Sequence, residues 1–249
     1  MRGANISDLI KYDLDWNILF TEPYTGILIT GIKITLLIFA VSSICSFFLG
    51  TGIAILRVSR IRFFRLLGNM YVKMFQSIPI LFWLLFFYYI LPDMLPSEIG
   101  RQLNAYFYYP VIAGIVALTL DNASYVSDIL KNGKFLIPQT QRDVAISTGL
   151  SRIQQYLYVL LPQMIRLTLP PLGTRMVHNF KNTTLCMVIA THELTWATQQ
   201  VESLSFRGVE AIIMATVFYM ALSILMASLV ILLERHLKID AADIIRPGV

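Results

Sequence analysis

The chain has 249 residues, 56% of them hydrophobic and only 14% charged, with a mean hydropathy of +0.66. A soluble domain of this length carries more charge to solvate its surface, so the composition excludes an ordinary soluble fold and points to an integral membrane protein. The net charge of +5 would suit a nucleic-acid partner, but the cations cluster in loops between apolar segments, which favours a topological reading and no nucleic acid.

Residues 1–24 carry Asp8, Asp13, Asp15 and Glu22 and lack an apolar run followed by a small-residue cleavage site. The first apolar helix is therefore expected to be retained. A hydrocarbon core needs about 20 apolar residues per helix. Five segments approach that length: 25–56, 71–92, 106–131, 167–191 and 210–233. The first carries Lys33, which predicts tilt or an interfacial start. The third and fourth are interrupted by polar residues. These segments predict an all-α membrane domain over 25–233, between an outer segment (1–24) and an inner tail (234–249). Cys45 and Cys186 both fall inside apolar segments and read as small buried residues, not as a disulfide framework.

Lysine and arginine fix the orientation. The connection after the first segment holds Arg57, Arg60, Arg62, Arg65 and Lys73 with no acid. The connection between the third and fourth holds Lys131, Lys134, Arg142, Arg152 and Arg166 against Asp143 alone, whereas the other two carry mainly acids. The positive-inside bias puts the N-terminus outside and the C-terminus in the cytoplasm. Tyr106, Tyr108, Tyr109 and Trp196 then fall near outer boundaries, where amphipathic rings are common.

The stretch "QTQRDVAISTGLSRIQQYLYVLLPQ", residues 139–163, lies in the inner loop. Thr140 and Asp143 have capping-box spacing, and Asp143 also suits the N-terminal dipole. That helix runs to Thr148, because Gly149 supplies a left-handed stop. Ser151 and Gln154 form a second capping box, and Pro162 limits or kinks the helix they open. The spacing predicts a helical hairpin at the inner face. A plain connector between spans would satisfy it equally well.

The same stretch resembles the cytoplasmic signature of ABC importer permeases, at Asp143, Val144, Ala145, Gly149, Leu161 and Pro162, with Asp for the usual Glu and Val144 for the first alanine. The likeness extends to "FQSIPILFWLLFFYYILPDMLPSEIG", "ASYVSDILKNG" and "LPPLGTRMVHNFKNTTLCMVIATHELTWATQ". The chain is similar to the permeases of polar amino acid importers, and "PDMLPSEIG" and "FKNTT" look most like the glutamate/aspartate importers. Gln76 departs from the family's Arg-x-x-Pro pattern, which continues here as Ser77, Ile78 and Pro79. The proline either breaks the helix toward a cavity or starts the span.

The resemblance implies a five-span type I permease whose 140–148 helix docks as a coupling helix on a cytoplasmic ATPase. It implies two ATPase subunits, a second permease, identical or homologous, and a soluble binding protein on the outer side of a bacterial inner membrane. The chain has no Gly-x-x-x-x-Gly-Lys-Ser/Thr run, so no cofactor is expected here and ATP belongs to the partner subunits.

Ionisable groups at membrane depth usually face a bundle interior or a wet cavity. On an ideal helix Arg175, Asn179 and Asn182 share a face, while Lys181 and Thr184 point elsewhere. The substrate reading assigns Lys181 and Arg175 to carboxylates, with Asn182, Thr183, Thr184 and Ser77 contributing hydrogen bonds. The alternative is an interhelix pair of Asp121 with Arg175 or Lys181. "HELTW" at 192–196 begins like a zinc-protease motif, but Trp196 stands where the second His would be, which argues against an intramembrane hydrolase.

Overall fold

A computed structural model describes residues 13–133, 137, 139–147, 149, 151 and 154–236, with the side chains of Gln141, Arg142, Val144, Ala145, Tyr156, Leu157, Leu161 and His236 outside that set. Among the described residues the chain is entirely helical. Helix α1 (Tyr24–Val58) is followed by α2 (Arg62–Ser77), α3 (Ile80–Met94), α4 (Ser97–Ala105), α5 (Tyr109–Asn132) and α6 (Gln139–Ser147). Helix α7 (Leu161–Asn182) passes into a 3-10 segment (Thr183–Ile189), and α8 (Leu194–Ser205) and α9 (Gly208–His236) complete the order.

Helices α1, α5 and α9 are each long and apolar enough to cross a membrane; α2 and α3 make a fourth span only if counted as one pair, bent by 100°. The segment expected as a span over 71–92 is broken at Pro79, one of the two readings open for that proline. Pro79 has no N–H to continue the helix and biases Ile78 to an extended conformation, which it adopts (φ −112°, ψ 127°). The segment expected over 167–191 is helical but polar in its α part, and its C-terminal third is a 3-10 helix. Helices α4 and α8 lie in connections expected to be loops.

Prolines shape two helices without ending them. Pro92 and Pro162 each follow a widened π turn, Phe86–Ile90 and Gln155–Leu160. A proline ring clashes with the carbonyl four residues back, and one wider turn relieves that clash. Pro162 therefore leads the hairpin's second helix into α7 instead of stopping it, and Pro170 and Pro171 sit inside an α7 that continues past both.

Helices α1 and α5 form the centre of the bundle. Ile38, Leu84, Ala117, Leu118 and Ile189 make its main apolar core, with Tyr109 buried among them and its hydroxyl donating to the Phe87 carbonyl (2.5 Å). Tyr109 is thus a core residue and not part of an outer aromatic belt, unlike the exposed Tyr106 and Tyr108. Cys186 is buried as expected, but Cys45 is exposed on α1.

The α1–α5 contact is close because Gly50 has no side chain. A Cβ there would sit 2.7 Å from Val126 and 2.8 Å from the Ala123 carbonyl oxygen. Gly50→Val is expected to cost about 1–3 kcal/mol through overpacking. Gly52→Ala, where an added Cβ meets nothing within 4 Å, should melt like wild type in detergent. Equal melting of the two variants would refute this account of the contact.

Candidate functional site

Helix α7 divides into two faces. Arg175 and Asn179 point into the bundle. The Arg175 Nη2 donates to Asp121 Oδ2 (2.7 Å), its Nε donates to Asn122 Oδ1 (2.5 Å), and its guanidinium lies 3.7 Å from the Tyr125 ring centroid. Asn122 in turn donates to Ser46 Oγ (2.6 Å), and Asn179 donates to Ser42 and Ser43 (2.9 Å each). A cation and a carboxylate buried between helices each lose hydration, and mutual pairing with added hydrogen bonds offsets that loss. Of the two readings for Arg175, the interhelix pair with Asp121 is the one present.

The opposite face carries His178 and Lys181 and opens on a cleft of about 340 Å³ against α9. Val177, Ala227, Val230 and Glu234 also line it. Lys181 is exposed and, among the described residues, makes no ion pair. Arg175 therefore packs inward, and Lys181 faces the cleft.

The "NTT" residues diverge. Asn182 is half-buried and ends the α part of the helix. Thr183 is fully buried, with its hydroxyl donating to the Phe180 carbonyl (2.7 Å), which removes it from any solute-facing surface. Thr184 is half-buried and donates to the Lys181 carbonyl (2.9 Å). Ser77 is exposed at the α2–α3 break, on a different helix from the Lys181 cleft and absent from its lining. The sequence set thus separates into an inward pair, a cleft cation and a distant serine.

A second ion pair, between the buried Arg57 and the half-buried Asp128, was not anticipated. Arg57 Nη1 lies 2.7 Å from Asp128 Oδ1 and also donates to Ser127 Oγ (3.1 Å), while its Nε donates to Asn69 Oδ1 (3.0 Å). Gln76 donates to the other Asp128 oxygen (2.8 Å), the role it takes where the family pattern has Arg. The available signal was the spacing of Asp121 and Asp128, seven residues apart on one face of α5.

In the connection before α9, Glu193 caps α8. It accepts from the backbone N–H groups of Thr195 and Trp196 (2.9 Å each) and from the Tyr219 hydroxyl (3.0 Å). Burial raises the Glu193 pKa, against these hydrogen bonds to its charged form. His192 stacks on Trp196 with ring centroids 3.9 Å apart. "HELTW" is accordingly a helix cap with an aromatic stack, and no group of three metal-ligating side chains occurs among the described residues.

In the hairpin, α6 spans Gln139–Ser147 and Gly149 adopts the left-handed conformation (φ +71°). Because α6 begins before Thr140, Thr140 is not its cap; Asp143 instead accepts from the Gln139 side chain (3.1 Å). Thr148, the expected helix end, is outside the described residues. The second capping box is present in both directions: Ser151 N–H donates to Gln154 Oε1 (3.0 Å), and Gln154 N–H donates to Ser151 Oγ (3.4 Å). Asp143, Gly149 and Pro162 are exposed.

Comparison with known proteins gives concordant matches. The family model described as binding-protein-dependent transport system inner membrane component matches residues 46–239. The Probable glutamine ABC transporter permease protein GlnM of Bacillus subtilis (strain 168) is 29% identical over 208 residues, covering 84% of this chain and 92% of that protein. The Glutamate/aspartate import permease protein GltJ of Escherichia coli (strain K12) is 25% identical over 239 residues, covering 92% and 97%. A crystal structure of an amino acid ABC transporter with histidines superposes with a TM-score of 0.79 at 25% identity, covering 90% of this chain and 99% of that one. The inward-facing MetNI methionine ABC transporter shares the fold, with a TM-score of 0.66 at 19% identity over 87% of this chain and 99% of that one.

Proposed function

The chain belongs to the family of binding-protein-dependent transport system inner membrane components, and from that premise we propose that it is the permease of an ATP-driven importer of polar amino acids. In this reading the membrane domain has five spans, with α3, entered through the bend from α2, and α7 with its 3-10 extension completing the set. The N-terminus is outside, and α6 is the coupling helix. Two ATPase subunits bind ATP and dock on the inner side, a second permease completes the pathway, and a soluble binding protein delivers the solute. The permease itself is not a catalyst.

The observation that carries the proposal is the Lys181 cleft. Lys181 is an exposed cation on a wall that Val177, Ala227, Val230 and Ile231 make largely apolar and that Glu234 shares, and it suits the carboxylate of an amino acid. Glutamate and aspartate are supported by the "FKNTT" likeness and by the relative GltJ. Glutamine has its own support: Arg175 is taken by Asp121, which leaves Lys181 as the cation facing the cleft, matched to a solute with one carboxylate, and GlnM is a relative.

Uptake of labelled glutamate, aspartate, glutamine and arginine by the complete transporter tests both readings. Lys181→Ala is expected to lower uptake of the preferred solute at least tenfold at normal membrane levels. Competition among the four solutes separates acidic from glutamine transport. Absence of flux for all of them, with every subunit present, would leave a non-transporting scaffold and refute the proposal.

A further inference from the structure

Helix α2 presents three distinct faces. Gly68, Val72 and Phe75 are buried against the bundle. Phe63, Leu66, Leu67, Met70 and Met74 are exposed, forming an apolar stripe that recurs at helical spacing. Arg62 and Lys73 are exposed on the third face, seven and four residues either side of Asn69, and Arg60 is exposed in the preceding turn.

Among the described residues these cations have no counter-charge paired with them. No acid occurs between Glu22 and Asp93 in the sequence. The carboxylate that α2 does reach, Asp128, has both oxygens occupied by Arg57 and Gln76. Among the described residues Arg60, Arg62 and Lys73 form no ion pair.

The direction of α2 fits an interfacial position. It makes an angle of 100° with α3, so with α3 near the membrane normal α2 runs close to the membrane plane. A helix there buries its apolar face at the boundary between headgroups and acyl chains, while its cations meet the headgroups. Each cation held near an anionic leaflet adds to binding, and salt weakens the effect.

We propose that α2 is an anionic-phospholipid site of the inner leaflet: the Phe63–Met74 stripe contacts acyl chains, and Arg60, Arg62 and Lys73 hold a phosphate-bearing headgroup. The leaflet rests on the orientation proposed above, whereas the preference for anionic lipid does not, so the two can fail separately. An adjacent permease copy would suit the apolar stripe alone, and the cations beside it call for an anion as well. An anionic lipid satisfies both faces.

The test uses the complete transporter reconstituted in nanodiscs of mixed phosphatidylglycerol and phosphatidylcholine, with retained lipid identified by native mass spectrometry. Wild type is expected to retain phosphatidylglycerol several-fold above its bulk proportion, less so at high salt. The Arg60→Gln/Arg62→Gln/Lys73→Gln variant should retain the bulk proportion, and the Arg60→Lys/Arg62→Lys variant should keep the enrichment. Bulk-proportion retention by wild type, or unchanged enrichment in the Gln variant, would overturn the proposal. So would a Gln variant that keeps its enrichment but loses its ATPase or its second permease, since the stretch would then be a protein dock.

Discussion

Asp121→Ala and Arg175→Ala are each expected to destabilise the protein by about 3–5 kcal/mol, because removing one partner strands the other charge inside the bundle. The side chains of Arg175 and Asp121 are 14% and 7% exposed, and they meet at 2.7 Å. Arg175 also holds Asn122 and lies over Tyr125, so its loss releases contacts to α5 in three directions. The double variant Asp121→Leu/Arg175→Met removes both charges and keeps apolar volume. It should recover most of the loss, since replacing a buried pair by apolar groups is often close to neutral. Thermal melting of the four proteins in detergent reads each of these effects directly. Single variants that melt like wild type would show that the pair is not what joins α7 to α5.

This pair also shows where sequence reasoning stopped. The pattern of apolar segments located α1, α5 and α9 closely, because a bilayer demands long uninterrupted runs and leaves few alternatives. It did not locate α4 and α8, which are short polar helices whose stability comes from tertiary packing and, for α8, from the buried Glu193 cap. The break at Pro79 was visible as a choice between a kink and a start; only packing of α2 across α1 and α5 decided it.

The hairpin was legible where the signal was local. Gly149 and the Ser151–Gln154 box both appear as expected. The start of α6 was misplaced by one residue, because an Asp at the fourth position can bond a Gln side chain as readily as it completes a Thr box. The site residues were harder still. Helical spacing separated Arg175 from Lys181 correctly, but it could not say that Thr183 would turn its hydroxyl to Phe180, nor that Asp128 would claim Arg57. Those outcomes depend on which helices meet, and that is set by close contacts such as Gly50 on Val126.

The hairpin carries the prediction with the largest effect on transport. Gly149 holds φ at +71°, and an added Cβ would meet nothing within 4 Å, so the demand at this position is conformational and not steric. Proline fixes φ near −65° and cannot adopt the turn, whereas asparagine visits the left-handed region readily. From the turn, the Ser151–Gln154 box opens a helix that runs through the π turn and α7 to Lys181, a path on the order of 40 Å. If α6 docks on the ATPase, this continuous helix carries its displacement to the cleft, and misdirecting the turn disconnects the two. Gly149→Pro is therefore expected to lower solute flux at least tenfold at normal membrane levels, with ATP hydrolysis by the complete transporter persisting, while Gly149→Asn keeps most of the flux. Asp143→Lys, which reverses the charge on the exposed face of α6, should lower flux by weakening ATPase docking and should reduce ATPase co-purification as well. Measured flux per ATP hydrolysed decides the matter: wild-type ratios in both Gly149→Pro and Asp143→Lys would mean that the hairpin is a connector and that coupling runs elsewhere.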